Sequence, residues 1–323
     1  ISEIDPQANI KYFAFVAFII ALAGSIQDIA IDALRIESAE IEDQGNLAAG
    51  YQFGYRIAIL VASSLALIIA SNFSWTFAYK LMALITGLNI IITMIISTEN
   101  KNLTLKKLNH IDTMIEPIKD FFERFGLKMA AILLLIIASY RLTDIVMGPM
   151  ANPFYIDMGY TLSEIGYIVK VVALISTIIG VFVGGILIKK FGLYKSLLIG
   201  AFLVMITNLL FSYTAITDKN LTLLASIVAS DSLAAGIVGT VNITFLTSLV
   251  SQKYTGFQYA LLTSVMTFTG TIFKGFSGVI VESFQSLYGF NYGWMSFYIF
   301  TSCLALPAIL LIISKKGFFV NSD

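Results

Sequence analysis

The 323 residues are 58% hydrophobic and 12% charged, balance 20 Lys and Arg against 20 Asp and Glu, and have a mean hydropathy of +0.86. A water-soluble domain carries about 25% charge, so the composition excludes one, and the zero net charge argues against a nucleic-acid partner. A single cysteine, Cys303, and a single histidine, His110, rule out a disulfide framework and a metal-ligand cluster, and no cofactor is expected.

The chain begins at Ile1 without a methionine, a charged leader or a cleavage site, and reads as cut. Nine apolar stretches are long enough to cross a bilayer, whose ~30 Å hydrocarbon core needs about 20 helical residues. Each is helical, because lipid leaves no partner for a free backbone. The fold class is therefore all-α, a polytopic transmembrane helical bundle. The first stretch, 12–34, runs into the segment ALAGSIQDIAIDALRIE at 21–37, which holds Gln27, Asp28 and Asp32. The second, 50–70, holds Gly50, Gly54, Tyr51, Tyr55 and Arg56, and the third covers 75–96. A long polar segment, 97–128, follows; the phase of Met114, Ile115, Ile118, Phe121 and Phe122 predicts an amphipathic helix lying on the membrane.

The fourth stretch, 129–147, contains Arg141 and Asp144 and is expected to stop at Gly148 and Pro149. Thr161 to Glu164 reads as a capping box opening the fifth, 163–188, which contains Lys170, Gly180 and Gly184. After the KKFGLYK turn come 193–216, 221–249 with Asp231, 257–281 with Gly270, Lys274 and Gly275, and 294–313. Small residues one turn apart, as at Gly180 and Gly184, mark close helix approach.

Lys and Arg gather on the cytoplasmic side of membrane proteins. Placing the polar segment there puts thirteen of them inside: Arg35, six in the segment including Lys101, Lys106 and Lys107, three in KKFGLYK, Lys253, Lys315 and Lys316. Only Lys11 and Lys219 fall outside. Ile1 is then periplasmic and Asp323 cytoplasmic. The chain divides into three spans (1–98), a linker (99–128) and six spans (129–323). Six-helix halves are the plan of major facilitator transporters, so nine spans of an expected twelve are present, three lying upstream of Ile1.

A carboxylate at the centre of a membrane helix costs roughly 2.5 to 3.5 kcal/mol, so such groups face a bundle interior or a wet cavity. Asp28 and Asp32 share a helical face, and Arg56 lies at similar depth. An Asp28 or Asp32 pair with Arg56 is either a static tie or a proton site that must be released to work. Arg141 and Asp144, three residues apart, can pair. Lys170, Asp231 and Lys274 have no opposite charge on their own helices; Lys170 can snorkel outward. The nine residues Gln27, Asp28, Asp32, Arg56, Arg141, Asp144, Lys170, Asp231 and Lys274 form the candidate substrate and proton pathway. No G-x-S-x-G, H-E-x-x-H, Walker A loop or G-x-G-x-x-G is present, so an enzyme is not expected.

SIQDIAIDA at 25–33 followed by GYRIAILV at 54–61 resembles the AmpG-type permeases of the major facilitator superfamily. MGYTLSEIGYIVKV at 158–171, GGILIKKFGLYKSLLIG at 184–200 and FQYALLTSV at 257–265 do so as well. The resemblance implies proton-driven uptake of anhydro-muropeptides from periplasm to cytoplasm, across the bacterial inner membrane, for peptidoglycan recycling. It also implies that Gln27 and Asp28 are the family's Gln-Asp pair, Asp32 its second acid, Arg56 the Arg of its Gly-Tyr-Arg, and Lys170 its lysine. Lys189 stands where the family's loop motif places Asp. Acetyl-coenzyme A transporters resemble this family too and are the alternative; a membrane sensor or enzyme, or an inactive fragment, are the readings from other classes.

Overall fold

A computed structural model describes residues 2–4, 9–40, 43–95 and 110–320, with the side chains of 63, 64, 110–113, 167, 169, 170 and 320 left out. Among the described residues there are helices and no strand. In order they are α1 (Ile10–Glu37), α2 (Gln44–Leu60), α3 (Ala66–Asn72), α4 (Trp75–Ile95), α5 (His110–Tyr140), α6 (Leu142–Asp157) and α7 (Leu162–Tyr167). Then come α8 (Ala173–Thr214), α9 (Leu221–Ser248), α10 (Thr255–Gly275), α11 (Ser277–Tyr288), α12 (Phe290–Cys303), α13 (Leu306–Ser314) and α14 (Lys316–Val320). Single π-helical turns, Val61–Leu65 and Ile168–Val172, join α2 to α3 and α7 to α8.

Seven helical segments are long and apolar enough to cross a membrane, against the nine expected. The stretch 50–70 fails as a continuous helix because its π-turn interrupts the ladder. The stretches 163–188 and 193–216 run together through α8, which has 42 residues and a break at Gly192, where φ is 76° and ψ is 170°. The expected stop at Gly148 and Pro149 is also corrected. Helix α6 continues through Pro149 and Pro153 to Asp157, and the interruption falls earlier, at Arg141. A proline inside a membrane helix is tolerated where local adjustment satisfies the freed carbonyl.

The amphipathic helix expected in the linker is the first half of α5, and Gly126 (φ 70°, ψ 153°) separates it from the apolar half. Lys101, Lys106 and Lys107 lie outside the described residues. The capping box is formed as read: Thr161 accepts from the Glu164 backbone N–H at 3.3 Å, and Glu164 accepts from the Thr161 N–H at 2.7 Å.

The chain divides into two compact units, Ile1–Ile31 with Phe53–Glu116, and Asp32–Gln52 with Pro117–Asp323. In the first, α3 packs on α4, and Lys80 reaches Glu3 at 2.6 Å. The second unit holds two apolar cores. One gathers Leu133, Ile137, Leu197, Val241 and Phe245 from α5, α8 and α9. The other is aromatic, with Phe154, Phe211, Trp294, Phe297 and Tyr298 from α6, α8 and α12.

The tightest packing in the second unit joins α8 to α9. A Cβ at Gly180 would fall 2.2 Å from the Leu233 carbonyl oxygen, and one at Gly184 would meet Thr240 at 3.0 Å. Gly236, which spacing did not single out, faces Gly180: its Cβ would sit 2.3 Å from the Thr177 oxygen. Gly50 and Gly275 have nothing within 4 Å, so the small-residue reading holds at Gly180 and Gly184, not at these two.

Two outcomes follow. Gly236→Val, forced against backbone rather than a movable side chain, lowers stability by about 1 to 3 kcal/mol or more, read as an earlier loss of the monodisperse peak on heating in detergent, whereas Gly278→Ala, with open space around it, leaves that midpoint unchanged. Second, the Lys219 ammonium hydrogen-bonded to Glu164 at 2.8 Å holds that carboxyl below its ordinary value, with the Thr161 N–H assisting. A depressed folded pKa stabilises above the unfolded pKa and is lost as pH falls through the folded one. Heating curves from about pH 6 to about pH 3 should therefore show a smaller acid loss for Lys219→Gln than for the parent chain.

Candidate functional site

Three groups of polar side chains are built into the second unit. The deepest lies where the ladder of α5 stops. Arg141 and Asp144, predicted to pair from spacing, do so at 3.8 Å across the break that starts α6. Asp231, from the middle of α9, is close enough to Asp144 for their charges to interact. The Thr207 hydroxyl of α8 donates to Asp231 Oδ1 at 2.9 Å. The charge of Asp231 also acts on Tyr155 of α6 and Tyr298 of α12. Beside them Thr301 donates to Asn208 Oδ1 at 2.8 Å, tying α12 to α8. The hydroxyls of Thr143 and Tyr298 are buried without a hydrogen-bond partner among the described residues.

The second group sits at the end of α1. Arg35 is only 6% exposed. Its Nε lies 3.6 Å from Asp32 Oδ1, and its Nη1 donates to the Thr247 hydroxyl at 3.2 Å. The guanidinium also lies over the rings of Tyr51 and Tyr259, at 5.3 and 5.1 Å. Two residues on, the Thr255 hydroxyl donates to the Glu37 carboxylate. Arg35, counted in the sequence among the cytoplasmic-side charges, here ties the end of α1 to α9 and α10 through Thr247 and Tyr259, with the Tyr51 ring also against it. The i, i+3 spacing of Asp32 and Arg35 matches that of Arg141 and Asp144 and was the available signal.

The third group fastens the amphipathic half of α5. Buried Gln258 donates through Nε2 to the Pro117 carbonyl at 2.8 Å and to Asp120 at 2.9 Å. Its Oε1 accepts from Arg124 at 2.9 Å and from the Ser251 N–H at 2.7 Å. An amide has two donors and two lone pairs, so every one is used. Arg124 also donates to the Leu249 carbonyl at 3.0 Å and to Asp120 at 2.9 Å. Nothing in the local sequence of FQYALL marks Gln258, because all its partners but Ser251 are remote in the chain.

The remaining candidates lie on α1, α2, α10 and the second π-turn. Gln27 and Asp28 are exposed on the part of α1 that belongs to the first unit, and Asp28 has no hydrogen bond or ion pair among the described residues. Arg56 is half-buried on α2, also in the first unit. Lys274 is exposed in the last turn of α10. The Lys170 backbone lies in the second π-turn, and its side chain is outside the described residues.

Compared with known proteins, residues 6–274 match the family described as Major Facilitator Superfamily. A relative named AmpG 4 in Rickettsia conorii is 32% identical over 320 residues, covering 96% of this chain and 74% of the relative. A protein of the same name in Rickettsia felis is 32% identical over 325 residues, covering 98% and 75%. The Escherichia coli K12 protein named anhydromuropeptide permease is 29% identical over 313 residues, covering 96% of this chain and 61% of its own length.

The Gln258 network is expected to be non-additive. In a double-mutant cycle, Arg124→Ala and Gln258→Ala should show a coupling of about 0.5 to 3 kcal/mol in detergent-solubilised stability. Strict additivity would mean the two side chains do not share a network.

Proposed function

We propose that this chain, which belongs to the major facilitator superfamily, imports anhydro-muropeptides across the bacterial inner membrane by proton symport and so serves peptidoglycan recycling. The observation that carries the reading is the match, along nearly the whole chain, to a relative named for anhydro-muropeptide permeation. The chemistry fits. A muropeptide brings peptide carboxylates, and Arg141 is a cation held among the membrane helices beside Asp144. A buried hydroxyl without a partner costs about 1 to 3 kcal/mol, so the Thr143 and Tyr298 hydroxyls are suited to water or to a polar solute. Asp231 is the acid we assign to proton transfer, with Asp144 neutralised by Arg141 until the pair separates. Asp28, Asp32, Arg56, Lys170 and Lys274 line the rest of the pathway in this reading, with Gln27 beside Asp28.

The seven apolar segments and the family make the chain a multi-pass membrane protein. We read nine spans in it. A 42-residue helix is about 63 Å long, twice the hydrocarbon core, so α8 crosses twice with Gly192 between the crossings. The interrupted run from α2 through α3 adds the other. Three spans (1–98) then precede the linker (99–128) and six follow it (129–323), with Ile1 periplasmic and Asp323 cytoplasmic by the lysine and arginine bias.

The test is uptake of labelled anhydro-muropeptide into proteoliposomes carrying the chain, with and without an imposed proton gradient. Accumulation that collapses with a protonophore, and that Asp231→Asn abolishes while exchange at zero gradient persists, is the expected result. Lys170→Ala combined with Lys274→Ala should raise the concentration for half-maximal uptake. Accumulation of nucleotide in place of muropeptide, or gradient-independent uptake unaffected by Asp231→Asn, would contradict the reading.

A further inference from the structure

The break at Gly126 opens a cavity of about 370 Å³ where α5 changes direction beside the end of α13. Its walls combine two chemistries. Phe125, Leu127, Met129 and Ile132 are apolar, and Lys128 and Lys315 are cationic. Neither lysine has an acidic partner among the described residues, although Lys119 and Arg124 on the same helix are each paired. Leu127 stands 77% exposed next to Lys128, and Phe125 is fixed from behind by Phe318, ring centroids 5.8 Å apart. The cavity sits where α5 passes from its amphipathic half into its apolar half.

We propose that this cavity binds an anionic glycerophospholipid, its phosphate held between Lys128 and Lys315 and its acyl chain lying on Leu127 and Ile132. Basic pockets at the ends of membrane helices recognise acidic headgroups. A free phosphate would satisfy the lysines and leave Leu127 in water; a zwitterionic lipid would cover Leu127 but bring a cation of its own to the two lysines. Only a molecule with both parts meets the whole surface. The occupant would brace the kink between the linker helix and the membrane-spanning part of α5. The assignment does not depend on which solute is carried.

The experiment is native mass spectrometry of the purified chain from a detergent doped with equal phosphatidylglycerol and phosphatidylcholine. Each lysine beside an acidic headgroup is worth about fivefold in affinity, so the double variant Lys128→Gln/Lys315→Gln should lose retained phosphatidylglycerol by on the order of twentyfold. Removing two exposed lysines elsewhere, Lys119→Gln/Lys195→Gln, should retain it. On the parent chain, added phosphatidylglycerol should raise the melting midpoint and inorganic phosphate should not. Equal retention of both lipids, equal loss in both double variants, or the same midpoint shift from inorganic phosphate would each overturn the proposal.

Discussion

An ionised group held among apolar helices must meet an opposite charge, a hydrogen bond or water, or the helix that carries it does not stay in the bundle. In the second unit this requirement decides where helices meet. Arg35 is admitted to the interior because Asp32, Thr247 and two tyrosine rings receive it together. Arg141 is admitted because Asp144 lies one turn away. Asp231 is admitted with the Thr207 hydroxyl donating to its oxygen. Gln258 uses every donor and acceptor it has and is a fastening. The group around Asp231, with the Thr143 and Tyr298 hydroxyls buried without a hydrogen-bond partner among the described residues, is the one we propose for solute or proton.

Backbone breaks are placed with the charges. Helix α5 ends at Arg141, beside the ion pair, and changes direction at Gly126, beside the Arg124 network. Between these points α8 and α9 are pressed together through Gly180, Gly184 and Gly236 until their backbones nearly touch. A rigid pair of helices flanked by interrupted ones is a reasonable frame for a carrier: the interrupted helices can change angle while the pair keeps its register.

Much of this was legible in the sequence, for local reasons. The apolar stretches, the capping box at Thr161 and Glu164, the Arg141 and Asp144 pair and the contact at Gly180 and Gly184 all depend on residues within one turn of each other. What was not legible depended on partners far away in the chain. Gln258 is an ordinary residue until Pro117, Asp120 and Arg124 surround it, and Gly236 matters only because Gly180 faces it. The proline rule failed at Pro149 because a helix inside a bundle tolerates a lost hydrogen bond that would end one in water. The turn read in KKFGLYK is present as the break at Gly192, where the backbone leaves helical geometry within α8.

The central claim is that the acids inside this bundle border water. It is tested most directly by thiol accessibility in a Cys303→Ser background, which removes the one native cysteine. Cysteines introduced one at a time by Asp231→Cys, Thr207→Cys and, as a comparison within the apolar core, Leu197→Cys are exposed to a charged, membrane-impermeant methanethiosulfonate. Labelling of the first two but not the third, slowed by anhydro-muropeptide, is what the account predicts. Failure of Asp231→Cys and Thr207→Cys to react in the folded protein, from either side of the membrane, would contradict it.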